Sequence, residues 1–572
     1  MKNKKHIGYL ACLLGIGLLA GCGEDFISRP PMDQIVDANF YKTPEQVLSG
    51  SAPLYNIVWF PYNDKASHGI GDGRGGVFSA NYSYQLENIE FRTTGATGEN
   101  STSWRAFFNV VGQSNILINN LEKYTDPSVP INIKEHAIAE ARFMRGLAYS
   151  YLVMNWGPVP IITDNVAVLQ DTTITRNTVE SVWEFITRDI RYGTTHLPET
   201  PVQTGRLTKW AAEGMLAKVY LTRAGVEATS PSNRNQAFLD SAKYFAKDVI
   251  DNSPAHLLDQ VHNYENGYEE LFKTKNNNNP ETLFALQWVY NGNWGSQNSV
   301  QAFLAFSSAI TGFGDGWGGD LGASLYMLSR YENLVDLDDP TNRTTPDLRR
   351  KATFMLPGEE YSYIHQQVLD DDGNPVIQNL IVPTGGSGYN TRAWVKKYVV
   401  GRPEDNEGKV LQQRTEIQTY MLRLADVYLV YAEAILGNSP STTDPDALKY
   451  YNAVRTRANA STKSILTWED IFNERHLEFA MEGQMWYDFV RLHYYDPEKA
   501  YQLLSEQDRG FVRITPNSTT DATAWTIIQD PDYTGPRFYN VNSGNFRLPL
   551  PEAELSRAPN LRNEPVDYYE FN

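Results

Sequence analysis

The sequence predicts a mainly α-helical protein, a scaffold of stacked helical hairpins interrupted by one loop-rich region carrying short β hairpins. Three observations predict it. Ala137, Ala141, Met144, Ala148 and Tyr151 recur at spacings of four and three, which puts them on one helical stripe. The same mixture of small and aromatic residues returns at Trp210, Gly214, Ala217, Leu221 and Ala224, at Met421, Ala425, Tyr428, Ala432 and Ile435, and at Phe472, Phe479, Gly483 and Trp486. Small residues in a stripe let a neighbouring backbone come close, as stacked hairpins require. Residues 276–413 break that rhythm with the asparagine run Asn276 to Asn279, the glycine-rich TGFGDGWGGDLG, and VLDDDGNPVIQNL, which reads as a hairpin turning at Asp372-Gly373. No steady period near 34 residues joins the helix pairs, so spacing alone gives helical hairpins of no named repeat.

In chain order, residues 1–21 read as an export leader: Lys2, Lys4 and Lys5 precede an apolar run from Ile7 to Ala20 that is too short to span a bilayer. Leu19-Ala20-Gly21-Cys22 resembles the bacterial lipobox, whose cysteine sulfur takes a diacylglyceryl group and becomes the new N-terminus. Several acyl chains at about 0.8 kcal/mol per buried methylene make such an anchor effectively permanent. The only other cysteine, Cys12, falls in the leader, so the mature chain is expected to hold one thiol and neither a disulfide nor a cysteine-rich metal site. Losing the leader takes the formal charge from −18 to −21, and that acidity argues against nucleic acid as a partner.

Residues 22–43 read as a tether, and Thr43-Pro44-Glu45 starts a helix with a capping residue followed by Pro at its first position. PYNDKASHGIGDGRGG, from Pro61 to Gly76, reads as a loop whose glycines admit a ligand, with Asp64, Asp72 and Arg74 as candidate partners for hydroxyls. A helix from Ser101 to Tyr124 puts Trp104, Phe108, Val111, Asn115 and Ile118 on one face, and Trp104 joins the candidate ligand-binding rings. The next helix stops at Asn155-Trp156-Gly157-Pro158, where Gly permits a C-cap and Pro cannot continue the ladder, and Val159 to Ile162 continue as an extended piece. Helices follow over Leu207 to Ala224 and Asn235 to Asp251, completing an N-terminal helical region of 44–275. After the loop-rich region, helices resume over 414–492, and 493–572 read as irregular.

Three stretches carry a specific likeness. EARFMRGLAYSYLVMNWGPVPIIT, RLTKWAAEGMLAKVYL beginning at Arg206, and the closing FRLPLPEAELSRAPNLRNEP resemble the signature segments of the SusD/RagB family of outer-membrane nutrient-binding lipoproteins. The resemblance implies a scaffold of four tetratricopeptide-like hairpins with a loop-rich face for the ligand. It also implies a lid over a SusC-like TonB-dependent transporter, capturing an oligosaccharide outside the cell and delivering it for import. Glu24 and Asp25 resemble the acidic tract that sends such lipoproteins to the exterior. Some family members take peptides instead, which stays open as an alternative.

The chemistry-bearing residues fit binding better than turnover. Glu474, Glu478 and Glu482 lie on one row of the charged helix NERHLEFAMEGQMWYDFVR, pointing the same way, whereas a glycosidase needs carboxylates on opposite sides of the scissile bond. They read as a structural ion network with Arg475 and Arg491, and His476, without a second histidine at metal spacing, reads as a packed side chain. No HExxH, Walker loop, GxSxG elbow or dinucleotide fingerprint is present. In DLDDPTN from Asp336, Pro340 falls where calcium wants an oxygen and the sixth place lacks glycine, so calcium stays open on weak support and no other cofactor is expected. The chain holds 34 Tyr, 24 Phe and 12 Trp, and several rings fall in the loop-rich region: Trp288, Tyr290, Trp294, Phe313 and Trp317, beside Asp315, then Tyr389, Arg392 and Trp394. Rings on loops can stack on the apolar face of a sugar while carboxylates and guanidinium groups bind its hydroxyls. Trp288 and Tyr290, two apart on an expected strand, would share a face. A surface glycoside hydrolase or a helical scaffold gripping a protein partner are the alternatives of other classes.

Overall fold

Thr43 caps a short helix over Pro44–Ser49: its side chain accepts from the Gln46 backbone and Gln46 reciprocates, as the sequence predicts. This is a computed structural model, and it describes residues 37–169, 171, 173–385, 391–530 and 535–571. The expected leader, Cys22, most of the tether and Tyr389 lie outside the described residues.

The scaffold is a succession of helices, each packed on the next. Helices α1 (Gly98–Tyr124), α2 (Ile131–Trp156), α3 (Val179–His196), α4 (Lys209–Val226) and α5 (Gln236–Asn252) stack in order. Thr178, Thr208 and Asn235 cap α3, α4 and α5 through their side chains. Helix α5 then packs on α6 (Leu424–Leu436), and α6 on α7 (Pro445–Arg457), so the stack runs on across the intervening 253–423. The alanine stripe explains the closeness, for Ala137, Ala141 and Ala148 of α2 are fully buried. At Gly146 an added Cβ would stand 3.0 Å from Ile190 on α3. Gly157, at φ 71°, ends α2, and Val159 bridges to Asn177. The architecture is the tetratricopeptide-like helical fold that the resemblance implies, with α8 (Trp468–Phe479), α9 (Met485–Tyr495) and α10 (Pro497–Ser505) completing it. Among the described residues no helix is long and apolar enough to cross a membrane.

The excursion between α5 and α6 is tied at its root by a two-stranded antiparallel pair, Thr282–Leu286 against Thr419–Arg423. It also holds the hairpin of Glu360–Leu369 and Pro375–Ile381, with Val368 opposite Val376 and Gly373 at φ 83° in the turn. A strand at Leu321–Ala323 pairs with Phe78–Ala80 from the N-terminal part.

Several local expectations are corrected. Residues 61–76 are not an open loop: they wind into two wide π-type turns, Tyr62–Ala66 and Gly69–Gly73, and are mostly buried. Glycine serves packing there, since a Cβ on Gly71 would lie 2.3 Å from the Gly483 carbonyl oxygen. Met421 sits on a strand before α6 rather than on the helix. The charged helix is two helices, α8 and α9, broken at Ala480 to Gln484 with Met481 and Gly483 at positive φ. The tail contains α10 and a hairpin of Val512–Pro516 with Trp525–Gln529.

That break carries Glu482 off the helix, and Arg475 and Arg491 pair with Asp426, Asp488 and Glu433 rather than with the three glutamates, which find other cations in the core. Arg423 donates to Glu281, Glu478 and Glu482 at 2.6–3.0 Å, Arg457 bonds Glu281 and Glu478, and Arg349 bonds Asp347 and Glu474. Arg455 reaches Glu474, and Lys397 reaches Glu482 at 3.0 Å. Five carboxylates thus face five cations, so the buried charge is compensated within the cluster. Burial alone would raise the Glu478 carboxyl, and Arg457, Arg423 and Arg349 bring it down to about 2. His476 is buried against Phe472 and Phe489, and burial holds its imidazole well below the usual range.

Candidate functional site

Among the rings expected to meet a ligand, Trp294 and Trp317 remain exposed, at 54% and 49%. The loop carrying Trp317 is held by its backbone: the Trp317 amide donates to Ala302 at 2.8 Å and the Gly318 amide to Ala305 at 2.9 Å. Gly316, at φ 109°, makes that approach, since a Cβ on it would stand 2.7 Å from the Ser307 carbonyl. The Trp317 ring lies 5.2 Å from Phe303, on the short helix Val300–Leu304. Phe303 in turn meets the edge of Tyr84 at 6.4 Å, and the Lys65 ammonium stands 5.0 Å from the Phe303 centroid and 5.9 Å from that of Tyr84.

Polar groups surround this platform. Asp64 accepts from the Ser299 hydroxyl at the start of the same short helix, and partial burial raises its carboxyl while Ser299 works against that rise. Asp320 accepts from the Tyr82 amide at 3.3 Å, and Tyr82 is itself largely exposed.

Trp294 belongs to a second loop, closed by the Val289 amide donating to Ser296 at 2.8 Å. Its ring meets Phe60 edge-on at 5.6 Å, and Arg414 stands 5.5 Å from its centroid while donating to Gly292 at 2.9 Å. The turn at 411–414 links the two loops, because Gln413 donates its amide to the Asp315 carboxylate at 2.6 Å. Asp315 is buried and ties the Trp317 loop to this turn. Tyr290, in the Trp294 loop, is half-buried.

The other candidates are placed elsewhere. Trp288, expected to share an exposed strand face with Tyr290, lies beyond the strand end at 5% exposure and donates its indole N–H to Thr419 at 3.0 Å. Trp104 is wedged between Phe108 and Trp156 at 4.8 and 5.2 Å. Trp394 is buried in a stack with Phe306 at 4.4 Å, and Arg392 lies over Phe511 at 3.7 Å while donating to the Asp320 carbonyl. Asp72 is buried, holding His68 at 2.9 Å and the Gly483 amide at 2.8 Å. Arg74 lies between Phe91 and Trp486 and donates to the Asn545 carbonyl, and burial with Arg509 nearby lowers its guanidinium. These seven side chains, Asp315 included, are all buried. Phe303 and Lys65 carry no periodicity or motif in the sequence that marks them as part of the set, and neither does Tyr84 beyond its spacing from Tyr82. Tyr82 and Tyr84, two apart in ANYSYQ just past the glycine-rich turns, are the signal that could have found part of the set.

Comparison with known proteins adds kinship to this geometry. A family model described as "SusD family" matches residues 280–568, and one described as "Starch-binding associating with outer membrane" matches 65–221. A "SusD-like protein" of Bacteroides ovatus is 38% identical over 570 residues, covering 97% of each chain. A protein solved as a crystal structure with a xylogluco-oligosaccharide is 36% identical, with a TM-score of 0.78 over 91% of this chain and 99% of that one. A "Laminarin binding SusD-like protein" shares the fold at 20% identity and a TM-score of 0.61, over 91% of this chain and 98% of that one.

Proposed function

The chain belongs to the SusD family, and from that premise we propose that it is a glycan-binding protein of the cell surface, holding an oligosaccharide on the platform of Trp317, Phe303, Tyr84 and Trp294 without cleaving it. The observation that carries this reading is the pairing of exposed rings with rigid anchorage. Trp317 and Trp294 offer faces to solvent while their loops are pinned through Ala302, Asp315 and Arg414. Such rings present flat apolar surface to a pyranose with little side-chain freedom left to lose. Lys65, Asp64 and Asp320 lie beside them as partners for hydroxyls. A catalytic role for Glu474, Glu478 and Glu482 is disfavoured by their engagement with arginines inside the core.

In this reading the chain is anchored in the outer membrane by acyl groups on Cys22, faces outward, and passes its cargo as a lid to a SusC-like TonB-dependent transporter. The relative solved with a xylogluco-oligosaccharide makes that ligand the first probe. Isothermal titration of the purified protein with xylogluco-oligosaccharides, and with an unrelated peptide pool, tests the reading. Saturable binding of the sugar, weakened in Trp317→Ala and Trp294→Ala variants of unchanged helical content, supports it. Binding of peptide alone overturns it.

A further inference from the structure

A second cavity, sharing no residue with the aromatic platform, lies in the same excursion. It measures about 220 Å³ and is bounded by Lys273, Thr274, Tyr363, Lys396, Asn406 and Lys409. A water needs roughly 10–15 Å³ of such space, so there is room for several waters or one sugar ring. Lys396 is the unusual member. It is only 1% exposed, yet its ammonium makes no hydrogen bond or ion pair among the described residues, and its named partner is the Tyr363 ring at 5.1 Å. The Lys273 ammonium stands over the same ring at 4.1 Å.

The acidic groups nearby are already engaged. Asp405 accepts from the His365 ring at 2.5 Å and from the Arg402 amide at 2.9 Å. Glu407 and Glu416 each lie 3.4 Å from Lys409. Glu270 pairs with Lys273 at 2.5 Å, and Glu269 takes the Tyr363 hydroxyl at 2.6 Å. A buried cation without a counter-ion is costly, and burial pushes the Lys396 amine down to about 8 although Glu269 draws it the other way.

We propose that this cavity is a subsite for a carboxylate-bearing sugar, a uronic acid residue whose carboxylate pairs with Lys396 and whose ring lies against Tyr363. Thr274 and Asn406 stand at the wall as hydroxyl partners. The exposed Glu407 and half-buried Lys409 lie at the rim, so the site opens to solvent.

Titration of the purified protein with methyl β-D-glucuronide, methyl β-D-glucoside and sodium acetate tests this. The glucuronide is expected to bind at least tenfold more tightly than either of the others, with Lys396→Met abolishing the preference and Trp317→Ala leaving it intact. Equal binding of glucuronide and glucoside, or of glucuronide and acetate, by the unaltered protein overturns the proposal even if Lys396→Met fails to fold. So does a folded Lys396→Met variant that keeps the preference. Because Trp317 serves the other site, loss of oligosaccharide binding there leaves this result unaffected.

Discussion

The Trp317 indole rests against Phe303 with centroids 5.2 Å apart and planes tilted by 51°, so Phe303 holds the ring while the far face of Trp317 stays open. An aromatic stack is worth about 0.5–1.5 kcal/mol beyond area burial. Trp317→Ala is therefore expected to weaken oligosaccharide binding about three- to tenfold by calorimetry, with little change in thermal midpoint because the ring is half exposed. Phe303→Ala should cost as much affinity and more stability, since it removes the support together with the contact to Tyr84. Affinity unchanged in both variants, with the fold intact, would remove this pair from the site.

Gly316 sets the height of that ring. At φ 109°, with a would-be Cβ 2.7 Å from Ser307 backbone, no side chain fits without moving the loop. Gly316→Ala is expected to reduce binding at least as much as Trp317→Ala while leaving Trp317 in place. Gly314, also at positive φ but with nothing within 4 Å of its added Cβ, is the control: Gly314→Ala should strain the backbone without that clash and lose less. Equal losses at both positions would mean that strain rather than loop height governs the site.

How much of this was legible in the sequence follows from what periodicity can and cannot encode. The scaffold was, because Ala137, Ala141 and Ala148 pack at helical spacing and burial enforces that spacing. The platform was legible only in part. Trp288 and Trp294 come from one short stretch, yet one is buried by Thr419 and the other exposed, and that difference is set by a strand 130 residues away in sequence. The glycines of 61–76 looked like room for a ligand and are room for another backbone, at Gly483. Lys396 gave no local signal at all, since its isolation depends on which carboxylates the fold brings to its neighbours.

Glu478 tests the ion network. Replacing it with Gln leaves Arg423 and Arg457 buried with one carboxylate fewer, and breaking such a pair costs about 3–5 kcal/mol. Its carboxyl is held at about 2 in the folded chain against 4.5 ordinarily, so its contribution is complete above pH 4.5 and is lost as pH falls from there through about 2. Chemical denaturation of Glu478→Gln at pH 7 should show the loss, and the gap from the unaltered protein should close towards pH 2. A variant as stable as the parent at pH 7 would mean that the cluster does not depend on this carboxylate.

Glu213 predicts the opposite slope. It sits buried on α4 against Asp248 of α5, with Lys209 3.6 Å from one and 3.7 Å from the other. Burial, and then Asp248, push its carboxyl up to about 8, with Lys209 opposing. A proton that the folded chain holds and the unfolded chain has already lost stabilises folding only at low pH: the contribution is complete below 4.5 and disappears as pH rises through about 8. Glu213→Gln keeps a neutral side chain of the same shape at every pH. Denaturant midpoints measured from pH 5 to pH 8.5 should therefore fall for the unaltered protein and fall less steeply for the variant, which becomes the more stable of the two at the alkaline end. Parallel curves would show that Glu213 is ionised in the folded state and that Lys209 alone balances the α4–α5 joint.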